Sequence, residues 1–491
     1  MAKVHAVLRA PKGDGYATIM LAMFERLGVM PPMSVCGLSE ATLAGASANI
    51  PALLREVDRR ERPELIVVTR SATASVLQEP LDGEIAMMKP GEVAAEIFQA
   101  TAHPVRDNET SAFAKTVREL AAHFARDVAR SAAPSVNIIG PSLLGFHDHS
   151  NIESLRRMFA ALGIEVNAVV PLGASPADLA TLGRAWVNVP TAFELAQPTL
   201  DFLRERFGTP WTEALPFGEA GTTRFLRELC ALVEIPGERI KAAAKDAHLL
   251  WYARTVDAHA LSGKRVAVFG TPTAAAGIAR ALRDELDMQV DFVGTYVLEY
   301  GDWLRERVAD VTERVLVTDD YREVAREIDA TRPDIMFGSQ MERHSASGFG
   351  VPCAVISPPA HILNFPLGYA PFVGYDGANH LGDLVNSTQV LGLEHHLIET
   401  FGPRGQGRFA EAAPEPEHEH APVASATVVA ATGNDGGGTL VWDAAAERLM
   451  SRIPFFVRKK ARSNIEKYAR EHRITTIDEG VVLRAREQIG G

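Results

Sequence analysis

The chain has 491 residues, 46% hydrophobic and 23% charged, with 39 glycines and 29 prolines, a globular composition that excludes a collagen-like, coiled-coil or wholly disordered chain. A formal net charge of -12 argues against a nucleic-acid binder held mainly by phosphate contacts. No apolar run reaches ~18 residues, so no membrane span is expected, and the short apolar stretch in MAKVHAVLRAPKGDG is no secretory signal, which makes the cytoplasm the expected location.

Short apolar runs alternate with helix-period segments. VHAVL (4–8) precedes a helical pattern at 16–27, and ELIVVT (64–69) follows one at 51–61. VNIIG (136–140) leads into 151–162, and VNAVVPLG (166–173) comes next. RVAVFG (265–270) leads into 274–286, followed by QVDFVGTY (289–296) and RVLVTDD (314–320). The segment 321–330 is again helical in period, and DIMFGS (334–339) and CAVIS (353–357) close the series. Continuous apolar strands separated by helices predict parallel sheets covered on both faces. The expected class is therefore α/β, with three Rossmann-like doubly wound parallel-sheet domains.

The pattern divides the chain into 1–133, 134–262 and 263–401. A linker at 402–439, rich in Ala, Pro, Glu and Gly, carries His418 and His420 without any fixed metal-binding geometry. A small helical C-terminal module follows at 440–491. Its eleven Lys/Arg outnumber its seven Asp/Glu, and Arg458, Lys459, Lys460 and Arg462 cluster within it. Such a face is either solvated or docks on an acidic surface.

Cys36, Cys230 and Cys353 are odd in number and form no CxxC, so no disulfide framework is expected. Three thiols also cannot complete a four-cysteine iron–sulfur or zinc site. Any cluster would need ligands from a partner or from other residue types.

Several strand-end loops carry candidate chemistry, because ligands of open α/β sheets sit beyond the carboxyl ends of the strands. In RAPKGDGY (9–16), Asp14 lies between Gly13 and Gly15, either presenting an oxygen at a site edge or capping the following helix. FGTPTAAAG (269–277) lacks the dinucleotide fingerprint and reads as a plain strand-to-helix turn. GPSLLGF (140–146) and PLGASPADL (171–179) read as structural loops that could line a cleft. Asp257, near Trp251 and Tyr252, is either an exposed acid at a domain junction or a buried proton donor. His361 follows the CAVIS strand, as a half-buried hydrogen-bonded residue or a catalytic one.

Longer motifs carry a family resemblance. VNIIGPSLLGF, NAVVPLGASPADLATL, WYARTVDAHALSGKRV, GSQMERH, PCAVISPPAHILNFP, GYDGAN, GLEHHL and IPFFVRKKARSNIEKYARE together resemble the B subunits of light-independent protochlorophyllide reductase, a nitrogenase-like enzyme of chlorophyll and bacteriochlorophyll synthesis. The similarity runs from Lys3 to the end. It implies an N2B2 heterotetramer with an N subunit. It also implies a [4Fe-4S] cluster held by three cysteines of N and one aspartate of B, in a HAPxGD loop that RAPKGD matches at Asp14. A homodimeric L iron protein, hydrolysing ATP with Mg, would deliver electrons one at a time. The substrate would be protochlorophyllide, reduced at the C17=C18 bond of ring D. Asp257 matches the family's proton donor, and His361 matches a functional histidine near the substrate. Arg9 stands where the family has His, and Ala72 where a cysteine is common. A nitrogenase-like paralogue acting on another tetrapyrrole, such as a chlorophyllide reductase subunit, and a non-catalytic tetrapyrrole-binding scaffold are the alternatives.

Overall fold

The computed structural model describes residues 1–11, 13–16, 31–38, 50–76, 81–142, 145–245, 247–248, 261–360, 368–401, 440–443, 446, 462, 465–470, 472, 474–478, 480–482 and 484–485. The chain forms two compact units, Met1–Glu411 and Ala412–Gly491.

The first unit holds three parallel sheets. Strands β1 (Val4–Pro11), β2 (Met33–Leu38), β3 (Leu65–Arg70) and β4 (Glu96–Gln99) pair in the order β2-β1-β3-β4. Strands β5 (Ser135–Ile139), β6 (Glu165–Val170) and β7 (Val187–Pro190) pair as β6-β5-β7. Strands β8 (Arg265–Phe269), β9 (Gln289–Thr295), β10 (Val315–Val317), β11 (Ile335–Gly338) and β12 (Cys353–Val355) pair as β10-β9-β8-β11-β12. In each sheet the first strand is flanked by the second on one side and a later one on the other. Each therefore has a switch point beside its first strand, where two crossovers diverge and a crevice opens.

The apolar strands run unbroken because both faces are buried. Val136 and Ile138 of β5 enter one core, and Ile139 enters another. Val266 and Val268 of β8 share the core of Val136, while Ala267 and Phe269 face a separate cluster with Met336 and Ile328. Leu65 of β3 packs in the same core as Ile139. The middle sheet thus shares a core with each neighbour, which welds three Rossmann-like layers into one body.

Polar residues interrupt the middle sheet at matching places. Asn137 and Asn188 are fully buried and paired in register. Asn137 donates through Nδ2 to Leu182 O at 3.0 Å and Asn188 Oδ1 at 2.9 Å, and it accepts from Asn167 Nδ2 at 2.8 Å. This network ties three strands and a loop together. Strands β2, β4 and β7 were absent from the sequence expectation. They are short and carry Ser and Gly, Glu and Gln, and Asn and Pro, so no apolar run marks them.

In the second unit, the helical expectation for the C-terminal module is joined by a short parallel ladder, Val441–Trp442 with Thr476–Ile477. Ala446, Ile465, Ala469, Ile477, Val481 and Val482 form its core. Among the described residues, no helix is long and apolar enough to cross a membrane.

Truncating Asn137 to Ala strands the Leu182 carbonyl and the Asn188 side-chain oxygen, while Asn167 Nδ2 keeps its bond to Thr181 O. The expected loss is about 2–3 kcal/mol of unfolding free energy, read from urea denaturation, and a loss under about 0.5 kcal/mol would show the network to be energetically idle.

Candidate functional site

Two places gather chemistry, at opposite ends of β1. The first is the loop after its carboxyl end. Gly13 adopts φ +116, a left-handed backbone that side chains resist, and this turns the chain into a helical turn beginning at Asp14. Gly13 rather than Asp14 therefore holds the cap position, and the Asp14 carboxylate is exposed. Beneath it, Arg9 on β1 is fully buried, donating to Gly37 O at 2.7 Å and to Cys36 O at 3.2 Å. Asp14 stands at the switch point of the first sheet, since β1 lies between β2 and β3.

The cysteines offer no thiolate set of their own. Cys36 and Cys230 are buried, and burial pushes the Cys230 thiol up. Burial, together with the nearby Glu342, also pushes the Cys353 thiol up. Among the described residues, no group of three or more His, Cys, Asp or Glu side chains is placed to hold a metal ion. Asp257 and His361 lie outside the described residues; His361 follows Ala360, which is buried at the end of the β12 loop.

The second place is a cavity of about 680 Å³ at the carboxyl ends of the middle and third sheets. Its wall includes Ser142 and Gly145 after β5, Leu172 after β6 and Thr191 after β7. The third sheet adds Thr271 after β8, Tyr296 after β9, Ser339 after β11 and Pro359 after β12. The loops GPSLLGF and PLGASPADL thus do line a cleft. FGTPTAAAG is the strand-to-helix turn it reads as, and it also lines the cavity through Gly270, Thr271, Thr273 and Ala274. The signal was present: two switch points face each other here, but only the tertiary structure shows that they face. Met1 also lines the cavity, and β1 spans about 23 Å at ~3.3 Å per residue, so the cavity and Asp14 are separate sites.

Three carboxyl groups line the cavity on well-defined supports. Asp148 opens the helix Asp148–Leu162 and accepts from Ser142 N at 2.9 Å. Gly145 has no side chain because a Cβ there would overlap this carboxylate. Enclosure by protein raises the Asp148 pKa to about 7. Glu194 is buried at the start of the helix Phe193–Phe207, and burial raises its pKa. Its Oε2 accepts from Thr273 Oγ1 at 2.5 Å and Thr273 N at 3.3 Å, while Oε1 has no hydrogen-bond partner. Glu342 closes a capping box with Ser339 and accepts from Tyr296 OH at 2.6 Å.

An array of three parallel sheets with crevices at their switch points is the architecture of a nitrogenase component 1 type oxidoreductase. The family model of that description matches residues 1–389, and the model described as "Proto-chlorophyllide reductase 57 kD subunit" matches 442–486. The solved "Nitrogenase Cp1 at pH 6.5" structure superposes with a TM-score of 0.67 at 17% identity, covering 80% of this chain and 90% of that one. A second, "Nitrogenase Cp1 at pH 5", gives 0.61 at 14% identity, covering 80% and 86%.

Sequence relatives are more specific. The B subunit of light-independent protochlorophyllide reductase from Chloroflexus aurantiacus is 40% identical, covering all of this chain and 96% of its own. The protein of that name from Heliobacterium modesticaldum is 38% identical, covering all of this chain and 94% of its own. The chain belongs to the family of light-independent protochlorophyllide reductase B subunits, and is thus an oxidoreductase subunit.

Asp148 sets a pH dependence whose sign follows from its raised pKa. Between about pH 4 and 7 the folded chain holds a proton that the unfolded chain has released, so this group's contribution to stability rises as pH falls through 7. Asp148→Asn removes that slope. The loss in unfolding free energy between pH 5 and pH 8 should shrink by about 3 kcal/mol in the variant, measured by denaturation at both values.

Proposed function

We propose that this chain is the B-type half of the catalytic component of an ATP-dependent, light-independent protochlorophyllide reductase. The carrying observation is its whole-length match to B subunits of that name, including the separate C-terminal match at 442–486. The reaction adds two electrons and two protons across the C17=C18 double bond of ring D, giving chlorophyllide a. The electrons come from a transiently docked L iron protein, a homodimer that hydrolyses ATP with Mg. The chain works in an N2B2 heterotetramer.

The residues present fit a shared cluster. Asp14 gives a [4Fe-4S] cluster one carboxylate oxygen, and three cysteines of the N subunit complete the set. When bound, the cluster supplies one-electron storage and transfer. What this chain does is hold the ligand. Gly13 turns the backbone, Asp14 is exposed, and burial pushes the Cys230 and Cys353 thiols up, which keeps them out of competition. A carboxylate is a harder ligand than a thiolate, and that shifts the cluster toward a more reducing potential.

Asp257 acts as proton donor to the macrocycle, with the second proton coming from the substrate's own propionate. A donor of this kind must hold its proton near neutral pH, as burial allows. His361 lies near the substrate and helps orient it.

Anaerobic co-expression with an N-type subunit tests the reading. The expected outcome is a four-iron reduced-cluster EPR signal that changes or disappears in Asp14→Ala; an iron-free complex with bound pigment would instead make the chain a scaffold. Asp257→Ala is expected to keep the cluster and pigment binding while turnover falls at least about a hundredfold, and normal turnover would remove it from the donor role.

A further inference from the structure

The cavity between the middle and third sheets is distinct from the Asp14 loop. At about 680 Å³ it is the size of a cofactor or drug-like ligand site. Phe113, Phe146, Leu172, Phe217, Ile356 and Phe372 give it an apolar body.

Its polar groups exclude the usual occupant of such crevices. Strand-to-helix loops hold phosphates by aiming free amide N–H groups at them. Here the chain's own carboxyl groups take those donors. Glu194 Oε2 accepts from Thr273 N at the start of the helix Pro272–Leu286, and Glu342 Oε2 accepts from Ser339 N at 2.8 Å. Asp148 takes Ser142 N. The ionisable side chains on the wall are Glu109, Asp148, Glu194 and Glu342 with Tyr296, and no lysine, arginine or histidine joins them among the described residues. A phosphate or nucleotide would meet acids, with these three strand-end amides already taken.

One polar atom is left over. Glu194 is 3% exposed, lines the cavity, and its Oε1 has no partner. A buried oxygen without a partner is costly unless a ligand supplies one. With Oε2 accepting two hydrogen bonds, a carboxyl proton on Oε1 would be available to a ligand. Burial favours that protonated form.

We propose that this cavity binds an uncharged, largely apolar ligand that presents a carbonyl-type oxygen to the Glu194 carboxyl group. The site is independent of the cluster ligand, so its failure leaves the proposed reductase activity standing, and the reverse also holds.

Nile red, an uncharged dye bearing a carbonyl acceptor, is the probe. Titrated into the purified full chain, it should show saturable, blue-shifted fluorescence with one site per chain, and excess ATP should not displace it. Ala274→Trp fills the cavity and should weaken binding at least tenfold. Thr110→Trp, on the half-buried edge, provides a second block should Ala274→Trp not unfold cooperatively. Glu194→Ala should weaken binding about tenfold, the worth of one hydrogen bond. Glu194→Gln keeps a donor and should stay within about threefold. Absence of saturable binding, displacement by ATP, or affinity unmoved by whichever Trp variants fold would overturn the proposal.

Discussion

A parallel strand can be re-entered only by a crossover, so every strand of a parallel sheet presents its carboxyl end, and the loop beyond it, at the same edge. That constraint operates three times in this chain. Each sheet starts at an inner strand and winds both ways from it, leaving a crevice beside that strand. In the first sheet the crevice carries Asp14. In the second and third the crevices face one another and enclose a cavity. Shared cores between neighbouring sheets hold these edges together, because Ile139 and Leu65 belong to one core and Val136 and Val266 to another.

The polar groups at these edges are used in opposite ways. At the first, a carboxylate stands exposed on a glycine-turned loop, above a fully buried Arg9 whose charge is spread over backbone carbonyls. Such an oxygen is free to be a ligand. At the cavity, the carboxyl groups turn inward and occupy helix-start amides. The same residue types thus leave an exposed oxygen at one crevice and take up backbone amides at the other. Burial raises the pKa of Asp148 and Glu194, which disfavours their charged forms.

The cysteines follow the same division of labour. Three buried or half-buried thiols, two of them pushed up by burial, act as small apolar groups. Their burial fits a structural role rather than a ligand set of their own, in a chain that belongs to a nitrogenase-like reductase family.

Much of the fold is legible in the residues alone. Strands such as RVAVF and VNII announce themselves because burial on both faces demands unbroken apolar runs, and the Ser175–Asp178 capping box reads directly as a helix start. Strands β2, β4 and β7 do not announce themselves, being short and polar; MSVCGL and VNVP take their strand character from neighbours already in the sheet. The exposed position of Asp14 follows from its flanking glycines, whereas its role as a helix cap is removed by the helical turn, which starts at Asp14 itself. Sequence by itself determined the layers and the loops, because periodicity and turn chemistry act over a few residues. Only the tertiary structure decided that loops from 142, 194, 273 and 342 converge on one cavity, because that depends on how two sheets pack against a common core, a contact no local pattern encodes.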